Sequence, residues 1–235
     1  SRNALNKDLL QALKDALQDA ENQKHLRAIV LTGKGNAFCA GADLRGLDKG
    51  DHAGIEFVSK LFAQMFEMMR YMGTPLVAAV NGAAVGGGFG LALACDFCVV
   101  SKDAKMGTPE LKRGLFPFLI SRYIYECLPE KIANELTLLG EPIGAKRAQE
   151  IGVANKISDA TDVLSDAISY ASKMAQYSGA VLKLARTAIR KQKDMKFPDA
   201  NEYLRKKLLE NLMFRDTVEG IKAFVEKRKP DWKDS

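Results

Sequence analysis

The sequence predicts an α/β fold, because strand-like segments alternate with amphipathic helices through residues 1–158 of the 235-residue chain. RAIVLTG (27–33) and PLVAAV (75–80) are short apolar runs with glycine close behind, as expected of buried strands. Beyond Pro129 the spacing is mostly helical, apart from a strand-like VANKIS (153–158). We therefore expect an α/β core over residues 1–158 and a helical C-terminal region over residues 159–235.

The spacing of apolar residues predicts the individual elements. Leu10, Leu13 and Leu17 lie on one stripe of a helix over residues 6–23, and Asn6 is a suitable N-cap. Residues 34–44 are expected to form a loop. The other expected elements are a helix over 55–72, a short helix through 91–94, a strand over 96–101, and helices over 161–177, 180–193, 199–213 and 216–228.

The composition is that of a soluble globular protein, with 47% hydrophobic and 27% charged residues. Its longest apolar runs, such as LVAAV (76–80), are too short to span a membrane. The net charge of +6 favours anionic ligands. Of the four cysteines, Cys95 and Cys98 have the spacing of half a zinc site, but no second pair follows, so reduced thiols in the cytoplasm, or in the mitochondrial matrix of a eukaryote, are expected.

Several kinds of catalytic and binding site are disfavoured by the sequence. The chain has two histidines, His25 and His52, both in polar settings, which excludes a HExxH zinc site and makes a Ser-His-Asp triad improbable. Gly82 and Gly87 have the spacing of a phosphate-binding loop, but Gly88 stands where that loop needs lysine. We expect no metal and no cofactor.

The glycine run in NGAAVGGGFGLALACD (81–96) has apolar flanks, unlike a surface linker. Bare glycine at a helix start lets a ligand oxygen reach unpaired backbone N–H groups, which is the physical form of an oxyanion hole. Close packing of a helix on a strand selects the same small residues. The run by itself leaves both hypotheses open.

Four segments together resemble the crotonase, or enoyl-CoA hydratase/isomerase, family: NALN (3–6), AFCAGADL (37–44), AVNGAAVGGGFGLALACD (79–96) and KMGTPEL (105–111). The similarity continues through residues 133–157 and 224–234. It implies a crotonase-like (ClpP/crotonase) superhelix of repeated β-β-α turns, assembled as a homotrimer or homohexamer. In this family another strand normally precedes NALN. The implied substrate is an acyl-CoA thioester that reacts through an enolate.

The resemblance also implies roles for individual residues. The backbone N–H groups of Ala42 and Gly87 would hold the thioester oxygen. Lys227 matches a position that approaches CoA phosphates, often from a neighbouring subunit, although a basic terminal helix is also typical of a solvated surface. The further residues implied to line the substrate or CoA site are Ala40, Asp43, Leu44, Arg45, Gly86, Gly90 and Pro109.

The carboxylates decide the predicted reaction. Family hydratases carry two glutamates; here GTPE (107–110) retains Glu110, whereas Gly90 occupies the other position. Glu110 would shuttle protons, although a glutamate after Pro109 also suits a helix start. One carboxylate suffices for Δ3,Δ2 isomerisation, whereas hydration also needs a positioned water. Since hydratases of branched or carboxylated enoyl-CoAs that resemble this chain lack the same glutamate, we rank hydration slightly ahead.

Two further alternatives stay open at the level of sequence. Tyr123, Tyr125 or Glu135 could hold the water, although each is equally suited to packing or to the surface. A basic member of the fold could instead bind RNA or act as a scaffold, and RNA binding would depend steeply on salt. Retention of Glu110 beside the Ala42 and Gly87 loops argues for an enzyme, so we expect acyl-CoA as the partner, without nucleic acid or membrane.

Overall fold

Two four-stranded sheets form the centre of the computed structural model, which describes residues 2–43, 45 and 52–235. The strands are β1 (Ile29–Thr32), β2 (Ala37–Cys39), β3 (Leu76–Val80), β4 (Ala83–Val85), β5 (Phe97–Ser101), β6 (Lys105–Gly107), β7 (Ile143–Gly144) and β8 (Lys156–Ser158). The first sheet has the order β1-β3-β5-β8 and is parallel throughout. The second has the order β2-β4-β6-β7, with an antiparallel β6–β7 pair.

Helices surround the two sheets and form most of the C-terminal third. They are α1 (Lys7–Asn22), α2 (His52–Tyr71), α3 (Gly87–Ala94), α4 (Phe118–Cys127), α5 (Glu130–Asn134), α6 (Ala145–Glu150), α7 (Val163–Met174), α8 (Gly179–Gln192), α9 (Phe197–Leu212) and α10 (Arg215–Val225). A 3-10 turn spans Pro109–Arg113, and a π-helical turn spans Glu135–Leu139. The side chain of Asn6 caps α1 by accepting from the Leu9 N–H at 2.9 Å, as predicted.

The chain repeats one pattern three times. A strand of the first sheet is followed by a strand of the second and then by a helix, in the orders β1-β2-α2, β3-β4-α3 and β5-β6-α4. The predicted β-β-α repeat and helical C-terminal region are therefore confirmed. Within the described residues, none of the helices combines the length and the apolar character needed to cross a membrane.

The inner strand β3 of the first sheet is buried on both faces, and its successive residues point to opposite sides of the sheet. Leu76, Ala78 and Val80 join the main core, whereas Val77 and Ala79 pack against α7. Because α7 covers this sheet, packing is continuous across the domain division predicted at residue 158. That division stays a prediction.

The structure differs from the expected elements in the strands of the second sheet, of which β4 and β6 were also not expected, and at the start of α3. The expected loop over residues 34–44 contains β2, which pairs with β4. Helix α3 begins at Gly87 rather than near Leu91, because tertiary packing overrides the low helix propensity of glycine. The two-residue strand β7 was not expected, and it pairs with β6 at the end of the second sheet.

Candidate active site

The N-terminus of α3 lies directly against the carboxyl group of Glu110. Gly86 precedes the helix with a φ of +55°, and its N–H donates to the Gly107 carbonyl oxygen at 2.8 Å. A Cβ on Gly86 would lie 2.6 Å from Glu110 Oε1. Glycine at position 86 therefore permits both the backbone turn and the approach of the carboxylate.

Glu110 is held on the 3-10 turn that follows β6. The buried Thr108 donates its hydroxyl to the Leu136 carbonyl oxygen at 2.7 Å, and Gly114 closes the turn with a φ of +71°. The Glu110 side chain is half-buried, and its buried Oε2 has no hydrogen-bond partner among the described residues. Burial raises the pKa of Glu110, while its own backbone N–H and Arg113 act in the opposite direction. An unpartnered carboxylate of raised pKa is suited to accept and return a proton.

The loop after β2 adjoins the same helix start. Gly41 is buried with a φ of +87°, and a Cβ there would lie 2.7 Å from the Val85 carbonyl oxygen and 3.4 Å from the Gly87 nitrogen. The next residue, Ala42, forms a bridge with Leu5. In this bridge the Leu5 N–H donates to the Gly41 carbonyl oxygen at 2.8 Å, and the Asp43 N–H donates to the Leu5 carbonyl oxygen at 3.1 Å. The NALN segment thus fixes the loop that carries Ala42.

The two predicted oxyanion donors are brought to neighbouring places. Of the hydrogen bonds between described residues, none has the N–H of Ala42 or Gly87 as donor. Gly87 is the first residue of α3, so its N–H has no intrahelical partner and the positive end of the helix dipole lies behind it. Two loops and one carboxylate therefore converge at this end of α3.

The other predicted CoA contacts follow Ala42 along the chain. Ala40 and Ala42 are exposed. Asp43 forms a salt bridge with Arg45, with 2.5 Å between Asp43 Oδ2 and Arg45 Nη2. Hydrogen bonding from this guanidinium lowers the pKa of Asp43 to about 2. Leu44, also a predicted contact, lies outside the described residues. The exposed Arg45 guanidinium places a positive charge at the end of the loop that carries Ala42.

Gly90 occupies different surroundings from Gly86. A Cβ on Gly90 would overlap Ile120 Cγ2 of α4 and would lie 3.0 Å from Phe66 Cζ. Gly88 is likewise pressed against Cys39 of β2. The glycine run therefore serves close packing at Gly88 and Gly90 and permits the approach of Glu110 at Gly86, whereas the oxyanion hole stays a prediction. A substrate contact by Gly90 itself stays a prediction.

The polar residues considered as water holders already have protein partners. The Tyr123 hydroxyl donates to the Phe66 carbonyl oxygen at 2.8 Å, and burial raises the pKa of Tyr123 to about 12. The Tyr125 hydroxyl donates to Asn134 Oδ1 at 2.7 Å, and Glu135 pairs with Arg147 at 3.3 Å. These contacts give all three residues structural roles.

Lys227 and the histidines stand apart from the converging loops. Lys227 is exposed just after α10, and no described contact joins it to Ala42, Gly87 or Glu110. Pro109 is half-buried beside Glu110. His25 is exposed, as expected, whereas the side chain of His52 lies outside the described residues. Among the described residues, no group of three or more His, Cys, Asp or Glu side chains is arranged to hold a metal.

Three residues that position the site were not singled out from the sequence. Gly41, Leu5 and Thr108 lie within the quoted motifs, and their roles depend on contacts with Gly87, Ala42 and Leu136 respectively. The signal for Gly41 was a glycine between alanines directly after a strand, a place where positive φ is common. Nothing in the sequence signals the bond from Thr108 to Leu136.

A search against protein families matches residues 1–235 to the family described as enoyl-CoA hydratase/isomerase. The chain belongs to this family. It is 33% identical to the 2,3-dehydroadipyl-CoA hydratase of Escherichia coli K12, over 99% of this chain and 91% of that protein. It is 32% identical to the mitochondrial enoyl-CoA hydratase domain-containing protein 3 of Xenopus laevis, over 98% of this chain and 79% of that protein.

Solved structures of the enoyl-CoA hydratase/isomerase family share the fold. The crystal structure of an enoyl-CoA hydratase from Polaromonas sp. JS666 superposes with a TM-score of 0.93 at 33% identity, covering 99% of this chain and 92% of that one. The crotonase fold and the family inferred from the sequence motifs are thereby confirmed, and acyl-CoA is the class of substrate on which this family acts.

Proposed function

We propose that this protein hydrates an enoyl-CoA, or dehydrates the corresponding 3-hydroxyacyl-CoA, with Glu110 as the proton-transferring group. The observation that carries the proposal is the half-buried carboxyl of Glu110, with Oε2 unpartnered among the described residues, beside the start of α3. The N–H groups of Ala42 and Gly87 would hold the thioester oxygen while charge develops on it. The substrate itself is the CoA thioester, and the proposal requires no metal or other cofactor.

One carboxylate can complete the hydration cycle. Ionised Glu110 removes a proton from water as the water oxygen bonds to C3 of the enoyl group, and the electrons of the double bond move toward the thioester oxygen. The protonated Glu110 then delivers that proton to C2, which restores the thioester and the carboxylate. This sequence leaves Glu110 unchanged and adds one water to the substrate.

Δ3,Δ2-enoyl-CoA isomerisation is the second candidate, and the packing at Gly90 favours it. Ile120 and Phe66 fill the space beside Gly90, and position 90 itself carries no carboxylate to orient water. Glu110 would remove a proton from C2 of a 3-enoyl-CoA and return it at C4. We rank hydration first because relatives such as the Escherichia coli and Polaromonas proteins carry the name hydratase.

The proposed assembly is a homotrimer or homohexamer built through the terminal helices. Large apolar side chains of α9 and α10 are exposed, among them Phe197 at 82% and Phe224 at 84%. Such a surface is typical of a face that another copy covers. In the assembly Lys227 of one subunit would approach the CoA of another. We propose a cytoplasmic or mitochondrial matrix location, since the Xenopus laevis relative is described as mitochondrial.

A mass-spectrometric screen of acyl-CoA thioesters in H₂¹⁸O tests the proposal. Hydration predicts 3-hydroxyacyl-CoA carrying ¹⁸O, whereas isomerisation predicts conversion of 3-enoyl-CoA to 2-enoyl-CoA without the label. Glu110→Gln is the matched control, because it retains the shape of the side chain and loses the titratable group. Absence of turnover on straight, branched and carboxylated enoyl-CoAs would refute the proposed enzyme, and an RNA-binding or scaffold role would then be examined through salt-dependent binding.

A further inference from the structure

Two glycines at the start of α3 face very different neighbours. Gly86, which precedes the helix, lies against the carboxyl of Glu110, whereas Gly90 lies against Ile120. The Gly90 N–H donates to the Gly86 carbonyl oxygen at 3.0 Å. Ile120 therefore packs one hydrogen-bonded turn along the chain from the glycine that Glu110 contacts.

Ile120 is held tightly in this place. It is 2% exposed, and Phe66, which also borders Gly90, contacts the rings of Phe62 and Tyr123 at centroid distances of 4.9 and 5.3 Å. Tyr123 fastens α4 to α2 through its bond to the Phe66 carbonyl oxygen. A close-packed interior of this kind does not readily shift to admit an added group. The space beside Gly90 is thus filled by apolar atoms in fixed positions.

We propose that Ile120 is a specificity-determining residue that restricts the site to proton transfer by a single carboxylate. This inference rests on the proposed function. The Ile120 side chain occupies the volume that a carboxylate at position 90 would need, and an apolar group there cannot orient water. Water must then be positioned by groups on the Glu110 side alone. This lowers the hydration rate of short straight-chain substrates, which have no polar group of their own to hold water.

The first test is a stability cycle that needs no turnover. Gly90→Ala should lower the unfolding temperature because the added Cβ overlaps Ile120, and Ile120→Ala should lower it by leaving a cavity. Ile120→Ala removes the overlap with Ile120 Cγ2 and retains the contact with its Cβ at 2.8 Å, so the double variant Gly90→Ala/Ile120→Ala should be more stable than the sum of the two losses predicts, without full recovery. Strict additivity would overturn the proposed competition for one volume, whatever reaction the protein catalyses.

The second test supplies the missing group. In Ile120→Ala/Gly90→Glu, hydration of but-2-enoyl-CoA should rise at least about tenfold over Ile120→Ala alone, within the range of general acid–base contributions. The matched control is Ile120→Ala/Gly90→Gln, which has the same bulk without a charge and should show no gain. If the glutamate variant lacks a native circular dichroism spectrum, the shorter Ile120→Ala/Gly90→Asp replaces it.

A carboxyl titration separates failure of this inference from failure of the proposed function. A second carboxylate close to Glu110 should raise the pKa of the Glu110 carboxyl, followed by ¹³C NMR, in the acidic double variant and not in its glutamine control. A folded acidic variant with the same Glu110 titration and the same hydration rate as its control would overturn the role of Ile120. A shifted titration in the acidic variant, together with a wild type that turns over none of the thioesters, would retain the geometry and refute the proposed enzyme.

Discussion

Helix α3 and the terminal helices α9 and α10 differ sharply in what they bury. All eight residues of α3 are buried, whereas the buried residues of α9 and α10 are Ala200, Asp216 and Ala223. Glycines let α3 pack against β2, α2 and α4 within one chain. The terminal helices instead leave large apolar side chains exposed.

The two regions therefore depend on different contacts: α3 on packing within one chain, and the terminal helices, in the proposed assembly, on contacts with another copy. The interior of a single chain fixes the start of α3 beside Glu110, so changes there should act on turnover. The exposed apolar residues of α9 and α10 lack cover from the described part of the chain, so changes there should act on assembly.

Glu110→Gln should reduce turnover by about 10² to 10⁴-fold while ligand binding is retained, because an amide cannot shuttle protons. Calorimetry with a non-reactive acyl-CoA would measure ligand affinity, and steady-state kinetics would measure turnover. A variant that turns over at the wild-type rate would remove Glu110 from the mechanism.

The same variant should be more stable than the wild type at neutral pH. Burial raises the pKa of Glu110, so the folded state binds its proton more tightly than the unfolded state does. The contribution of Glu110 to stability is therefore greatest below the ordinary carboxyl pKa and declines as pH rises through the raised value. The difference in unfolding temperature between wild type and variant should shrink in acid. The kcat/KM of the wild type should fall as pH drops through this pKa, since the base must be ionised.

Gly87→Ala should cost about 10² to 10³-fold in turnover if it displaces one oxyanion donor. The added Cβ would lie 2.6 Å from Phe62 Cζ and 3.0 Å from Leu5 Cδ1, and Leu5 bridges the loop of Ala42. Overpacking should also lower the unfolding free energy by about 1–3 kcal/mol. Adding Phe62→Leu should recover part of that stability, and kinetics on both variants would show whether turnover returns with it. Normal turnover in Gly87→Ala would reduce the glycine run to a packing device.

The paired change Leu208→Glu/Leu212→Glu on α9 should dissociate the assembly. Both side chains are half exposed or more and lie four residues apart, on one stripe of the helix. Sedimentation of the wild type at micromolar concentration should give a trimer or hexamer, and the variant a smaller species. Lys206→Glu on the same helix is the control and should leave the assembly intact. A monomeric wild type would contradict the proposed assembly.

Arg113→Gln should have the smallest effect, a modest displacement of the pH profile. The positive charge of Arg113 holds the pKa of Glu110 below the value that burial alone would give. Without it, the acid limb of kcat/KM should move to higher pH, with little change at the plateau. Lys112→Gln, on the same exposed turn, is a matched control for loss of a surface charge. Coincident profiles for wild type and Arg113→Gln would exclude this influence.

Much of the fold followed from the sequence because α1, α2 and β3 carry strong local patterns. Apolar spacing and the Asn6 cap identify α1, and the run LVAAV identifies β3. The strand β2 was missed because its three residues owe their extended form to pairing with β4, which no local signal reveals. The start of α3 was misplaced because glycine is a poor helix former that packing retains there.

The candidate site was predictable only where one short motif carries it. GTPE identified Glu110, and AFCAGADL identified the loop of Ala42. The contact of Glu110 with Gly86, and that of Ile120 with Gly90, join residues 24 and 30 positions apart in the sequence. Such contacts depend on how β6 and α4 pack against α3, and neither leaves a periodic pattern in the sequence.

Hydrogen exchange at C2 of butyryl-CoA in D₂O tests most directly whether Glu110 alone moves the substrate proton. This saturated thioester can form the enolate but can neither take up water nor isomerise, so the exchange isolates proton transfer at C2. We expect the wild type to incorporate deuterium at C2, Glu110→Gln to lose at least about 10²-fold of that rate, and Lys112→Gln to retain it. Exchange by Glu110→Gln at the wild-type rate would show that a group other than Glu110 transfers the C2 proton.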